Sequence, residues 1–226
     1  MFSAHRLSSI KPSVIREMTR LAYEHNAVNM AQGFPEFKPP AEVLAAANQA
    51  ISHGNNQYSI TWGVPNLRNA LANKYQRQYG LKFDPLTDLT VTCGVTEAVI
   101  ATLFGLIDPG DKVIVLEPAH ENYAPGISWA GGIPIWVPLA PPDFQLNEED
   151  LRAAFAKNPK AIILNSPQNP SGRVLTREEL QLIADLCLKY DVLAITDEIY
   201  EHIIYDGREH IPLATFAGMA ERTVTI

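Results

Sequence analysis

From about residue 88 onward the sequence alternates short apolar runs rich in β-branched residues with longer stretches of helical periodicity. The runs are LTVTC, KVIVLEP, IPIWVPL, AIILNSP, VLAITDE and TVTI, each of the first five followed by a helical pattern or turn before the next. Strand and helix in alternation predict a mainly parallel sheet with helices on both faces, because parallel neighbours need a crossover and the crossover helix covers the sheet. The runs are almost unbroken in apolar character, as strands buried on both faces require. Turn signals separate them, among them Asp108-Pro109-Gly110-Asp111 and Gly131-Gly132.

Local signals place several helices. Thr176 and Glu179 precede Leu180, Ile183 and Leu186, a capping box that opens an amphipathic helix ending near Tyr190. Pro65 opens another helix and Gly80 closes it, following the preference for Pro at the first helical position and Gly just past the end. A short helix is expected between Ser13 and Tyr23. Beyond it, Ala31-Gln32-Gly33-Phe34-Pro35 and the stiff Pro39-Pro40 mark residues 1–40 as an arm and part of a small domain, with 41–226 forming the large domain.

Composition excludes some function classes. Of the 226 residues 46% are hydrophobic and 19% charged, and the net charge of −7 leaves Lys and Arg scattered without a basic stripe. A nucleic-acid or anionic-membrane surface is therefore not expected, and small-molecule chemistry is. The first 16 residues carry Arg and Ser and no acid, as transit peptides do, but no apolar core follows and no run is long enough to span a bilayer. Cys93 and Cys187 offer neither a disulfide framework nor a metal motif, so a cytoplasmic setting is expected. His5, His25, His53, His202 and His210 form no ligand pattern.

In open parallel sheets ligands gather at the carboxyl ends of the strands, which directs attention to the residues just after each run. After LTVTC stands Gly94-Val95-Thr96-Glu97-Ala98, small and polar residues opening a helix, where unpaired N–H groups and the helix dipole favour an anion such as phosphate. It is neither GxGxxG nor a Walker sequence, which disfavours dinucleotides and nucleoside triphosphates. After AIILNSP comes Gln168-Asn169-Pro170-Ser171-Gly172, either an Asx-type turn or a rigid presentation of the Asn169 amide. After VLAIT, Asp197-Glu198-Ile199-Tyr200 sets a carboxylate at the mouth of a buried strand, either a helix cap or a functional acid.

In combination these blocks resemble the fold type I enzymes dependent on pyridoxal 5′-phosphate (PLP), and within them the class I/II aminotransferases of the kynurenine aminotransferase-like group. GFPEFKPP, NQYSITWGVPNLR, VTCGVTEA, EPAHENY, NSPQNPSGRV, ITDEIY and ERTVTI follow that group's blocks in order over essentially the whole chain. The resemblance implies the fold type I large domain, a three-layer α/β/α sandwich on a mainly parallel sheet, incomplete at its C-terminus. It also implies transfer of an amino group from an amino acid to a 2-oxo acid.

Residue by residue, the resemblance makes Gly94, Val95 and Thr96 the phosphate turn and Asp197 the partner of the pyridine N–H. Asn169 and Tyr200 become donors to the ring's phenolic oxygen. Tyr58 matches a tyrosine that reaches the phosphate in the neighbouring subunit, so a homodimer is implied, and Gly33 matches the loop that closes over the substrate carboxylate. The position stacking on the ring, usually aromatic, falls on His120, with Tyr123 as the alternative.

The Schiff-base lysine of this family lies on a segment after the strand matching Thr223-Val224-Thr225-Ile226, beyond Ile226, so no catalytic residue is assigned within these 226. The strand that follows that lysine lies between those matching TVTI and LTVTC, and without it LTVTC is expected to lack a neighbour. Two alternatives stay open: a PLP-dependent β-lyase acting on cysteine conjugates or cystathionine, and a non-catalytic fragment or pseudoenzyme.

Overall fold

The computed structural model describes residues 13–33, 35–54 and 56–226. His5, Lys11 and the arm's first twelve residues, together with Phe34 of the Gly33 loop, lie outside them. The chain divides into two compact units, 1–61 and 62–226. The expected boundary near residue 40 and this division differ by one helix and the segment after it.

The first unit holds α1 (Val14–Glu24) and α2 (Ala41–Ser52). Ser13 caps α1, its hydroxyl accepting from the Arg16 N–H, as the short helical stretch read there requires. Neither helix has a buried residue.

The second unit begins with α3 (Pro65–Tyr79), with Pro65 in its first turn and Gly80 left-handed at its end (φ 72°). It continues through α4 (Val95–Leu106), β1 (Lys112–Glu117), α5 (Tyr123–Trp129), β2 (Ile133–Ala140), β3 (Gln145–Leu146), α6 (Glu148–Phe155), β4 (Ala161–Asn165), α7 (Arg177–Tyr190), β5 (Leu193–Asp197) and β6 (Thr223–Thr225). The sheet order is β3-β2-β1-β4-β5-β6, parallel throughout except for the two-residue β3.

Period-2 side-chain direction splits each central strand between two cores. Ile114, Leu116, Ile162, Leu164 and Ala194 face Leu151 and Phe155 of α6 and Leu180, Ile183 and Cys187 of α7. Val113, Val115, Ala161, Ile163 and Ile195 face Val99 and Leu103 of α4 and Tyr123 and Ile127 of α5. These are the three layers expected. Each fully buried Leu or Ile contributes about 1.5–3 kcal/mol, and both faces of the sheet are filled with them. β2 departs from the two-sided pattern: its residues alternate, with Ile133 and Trp136 half exposed.

One expected strand is not in the sheet. Leu89–Cys93 joins no ladder, and its Val91 N–H donates instead to the Trp62 carbonyl (3.0 Å). β-Branched residues favour extended backbone wherever they stand, whereas a ladder needs a neighbour with matching free groups. Gly63 (φ 101°) lets this segment approach: a Cβ there would lie 2.4 Å from Val91 Cγ2. Among the described residues no helix is long and apolar enough to cross a membrane.

Candidate active site

Three strand ends and one helix start meet around a cavity of about 190 Å³. Its lining comprises Cys93 to Thr96, His120, Asn165, Asn169, Asp197, Ile199 and Tyr200. Seven of the sequence-derived candidates are thus brought together: Gly94, Val95, Thr96, His120, Asn169, Asp197 and Tyr200. Gly33 and Tyr58 belong to the first unit and are not in that lining; Tyr58 is fully exposed.

Gly94 takes φ 83° and ψ 170°, a conformation open to glycine, and turns the chain into α4. The first intrahelical bond runs from Ala98 N–H to the Gly94 carbonyl, so the N–H groups of Val95 and Thr96 have no acceptor within the helix. Glu97 reaches back to accept from the Cys93 N–H. The Thr96 hydroxyl accepts from the Asn122 amide (3.1 Å), and the Asn122 N–H points to His120 Nδ1 (3.4 Å). The start of α4 and the loop after β1 are thereby tied together at the cavity.

Asp197 ends β5 with only 4% of its surface exposed. Its carboxylate accepts from the Tyr123 hydroxyl (2.5 Å) and from the Ile199 N–H (3.3 Å). Burial, and then the neighbouring Asp197 charge, push the Tyr123 phenol well above its ordinary range, so it stays a donor. Tyr123 is itself buried, its ring centroid 5.5 Å from that of His120 at a 50° tilt. With its hydroxyl committed to Asp197, Tyr123 lies behind the cavity wall and His120 in it.

Asn165 and Tyr123 are the contributors that sequence reasoning left unassigned or placed otherwise. Asn165 closes the wholly buried β4, donating its amide to the Asp197 carbonyl (2.9 Å) and accepting from the Asn169 N–H (2.7 Å). A lone polar residue ending an apolar run was its only signal. The Asn169 amide lies 3.5 Å from the Tyr200 hydroxyl, at the limit of a hydrogen bond, so both polar tips face one side of the cavity. The turn carrying Asn169 is closed by Gly172 N–H to the Gln168 carbonyl (2.7 Å), and Gln168 is pinned to the Pro118 carbonyl (2.9 Å).

The two cysteines differ sharply. Cys93 is exposed at the cavity's edge, whereas Cys187 is sealed in α7, where burial pushes its thiol up to about 12.

A three-layer α/β/α unit with a buried carboxylate and a helix N-terminus facing one cavity defines a class: domains that hold a small anionic ligand at the carboxyl edge of a parallel sheet. The family model for aminotransferase class I and II matches residues 25–226, and the chain belongs to that family. A probable N-succinyldiaminopimelate aminotransferase of Mycobacterium tuberculosis is 43% identical over 223 residues, covering 98% of this chain and 56% of that protein. Human kynurenine–oxoglutarate transaminase 1 is 41% identical, covering 99% of this chain and 56% of its own length.

The chain thus spans little more than half the length of the curated relatives it matches. Among solved structures, the M. tuberculosis N-succinyldiaminopimelate aminotransferase superposes with a TM-score of 0.94 at 42% identity, covering 99% of this chain and 59% of that one. The Thermus thermophilus aspartate aminotransferase with maleate does so with 0.92 at 35%, covering 100% and 59%. The cofactor of this family is PLP. The cavity fits such a group: a buried carboxylate for a ring N–H, a helix start for a phosphate and two polar tips between them.

Proposed function

We propose that the full-length protein is an amino-acid aminotransferase that moves an amino group from an amino acid to a 2-oxo acid and works as a homodimer. The observation that carries the reading is the buried Asp197 carboxylate sharing one cavity with the N-terminus of α4. PLP, when bound, supplies the electron sink that lets an amino acid give up its α-proton.

The residues of this chain do the rest. Asp197 would hold the proton of the ring nitrogen, since a negative group beside it favours the protonated ring. Tyr123 fixes that carboxylate by donating to it. At the Gly94 turn, whose own N–H is held by the Thr92 carbonyl (2.9 Å), the free N–H groups of Val95 and Thr96 would take the phosphate, aided by the helix dipole. Asn169 and Tyr200, which line the cavity, would donate to the phenolic oxygen, and His120 would supply the side chain against the ring. Tyr58 completes the phosphate site of the other subunit, and Gly33 belongs to the loop over the substrate carboxylate. The unpaired Cys93 and Cys187 accord with a cytoplasmic setting.

The test is Asp197→Ala in the full-length protein, followed by PLP titration and an amino-transfer assay. Loss of turnover by a factor of a hundred or more, with weakened PLP binding, is expected on the order of what removal of one preorganised electrostatic partner costs. Turnover and affinity equal to the parent would remove Asp197 from the site.

A further inference from the structure

Asp197, the last residue of β5, is followed by the segment Glu198–His202, which carries Tyr200 and has little regular structure of its own. Its backbone bonds are mostly internal: Glu201 N–H to the Glu198 carbonyl (2.9 Å) and Ile203 N–H to the Tyr200 carbonyl (2.8 Å). The tie to the sheet is Glu198 N–H to the Ile226 carbonyl (2.8 Å). The segment divides its side chains between two sides. Asp197, Ile199 and Tyr200 line the cavity, while Glu198 and Glu201 do not.

Both glutamates are used elsewhere. Glu198 Oε2 lies 2.9 Å from His210 Nε2, and the two side chains are 4% and 5% exposed. The His210 ring meets Tyr79 of α3 edge-on, centroids 5.9 Å apart. Tyr79 donates its hydroxyl to Glu201 Oε2 (2.6 Å), and Lys74, one turn earlier on α3, pairs with Glu201 Oε1. The Glu201 side chain is 10% exposed and that of Lys74 27%. A helix, a turn and a downstream loop are thus joined by one nearly dry polar network.

Buried carboxylates are tolerated only when paired, and a buried pair is weak evidence for stability; in some proteins such pairs serve to specify geometry. Three acids stand within five residues here, and only Asp197 faces the cavity. Adjacent residues in extended backbone point to opposite faces, so fixing Glu198 on the far side fixes the direction of Asp197 on the near one. Glu201, the residue after Tyr200 in the turn, anchors the turn itself through Lys74 and Tyr79.

We propose that Glu198 with His210, and Glu201 with Lys74 and Tyr79, are positioning residues that hold the Asp197–Tyr200 turn against α3 and so aim its carboxylate and phenol at the cofactor. The inference rests on the reading of the cavity as a PLP site. A loosened first partner costs tenfold to a hundredfold when it shifts by about 1 Å, which sets the expected scale.

The experiment uses the full-length protein loaded with PLP, reading the PLP dissociation constant, the visible circular dichroism of the bound cofactor and the melting temperature. Replacing both members of a buried pair by apolar groups of similar shape leaves stability near the parent, so the informative variant is Glu198→Met with His210→Phe. It is expected to melt near the parent, to bind PLP about tenfold more weakly and to lose part of the dichroism. Glu198→Gln, which keeps an acceptor for His210, is expected within threefold of the parent.

A double variant with parental affinity and dichroism overturns the proposal and leaves the pair a structural feature only. Should that variant fail to fold, Lys74→Met with Tyr79→Phe and Glu201→Met, which removes the second set whole, carries the same test with the same two readings. A parent protein that takes up no PLP overturns the cofactor reading itself, a result visible before any variant is made.

Discussion

The contact between Tyr123 and Asp197 shows why some of the site was legible at residue level and some was not. Asp197 has a local signal, because a carboxylate ending an apolar strand at the ligand-binding edge of a parallel sheet is either a helix cap or a functional acid. Tyr123 lies 74 positions upstream, and nothing local says that its hydroxyl will meet Asp197 rather than solvent or a cofactor face. The same holds for Asn165, whose two bonds run to Asn169 and Asp197. Single positions with a local mechanism, such as Gly94 at a helix start, can be read; bridges between distant strand ends cannot. Tyr123→Phe keeps the buried ring and deletes one donor to a charged acceptor. It is expected to cost about 1.5–3 kcal/mol in urea denaturation. A loss below a few tenths would mean that Asp197 finds another donor.

Among the elements, helices with complete end signals were legible to within a residue. α7 runs Arg177–Tyr190 with the Thr176–Glu179 capping box formed in both directions, Thr176 N–H to Glu179 Oε2 (2.9 Å) and Glu179 N–H to the Thr176 hydroxyl (3.3 Å). Glu179 also pairs with Arg173, so the cap is anchored on the turn that carries Asn169. Thr176→Ala removes one bond of the box and is expected to lower stability by about 1 kcal/mol. A shift in the urea midpoint smaller than a quarter of that would show the Arg173 pair to be sufficient. Strands were legible as extended segments but not as ladder members. β1, β2, β4, β5 and β6 coincide with the apolar runs, while Leu89–Cys93, also rich in β-branched residues, joins no ladder. For that segment the lack of a ladder neighbour is the outcome the sequence reading expected, since the strand that would lie beside it is not among these residues. The two-residue β3 is too short for any periodicity to register.

For the molecule as a whole, the second unit places several acidic hydrogens where they cannot leave. Burial is the leading cause that raises the phenols of Tyr75, Tyr79 and Tyr123 and the thiol of Cys187 above their ordinary values, with nearby carboxylates adding to it for the tyrosines. The unfolded chain releases those protons from about pH 9 for the thiol and about pH 10 for the phenols. The folded chain keeps them. Above that range the native state binds more protons than the unfolded state, so unfolding free energy falls as pH rises. The stability these groups contribute is fully present below pH about 9 and is lost progressively above it. Urea midpoints at pH 8 and pH 10.5 check this, with the lower midpoint expected at pH 10.5 and equal midpoints excluding the mechanism.

The two cysteines give the molecule a built-in reporter. A bulky electrophile meets one reachable sulfur at the lip of the cavity and one locked inside a helix packed on the sheet. Labelling of the native protein should therefore be a single-site event whose rate clocks occupancy of the neighbouring space. Saturating PLP is expected to slow modification of Cys93 several-fold while leaving Cys187 silent until the fold is melted, as peptide mapping of the modified thiol would record. An unchanged Cys93 rate would put the ligand somewhere other than beside it.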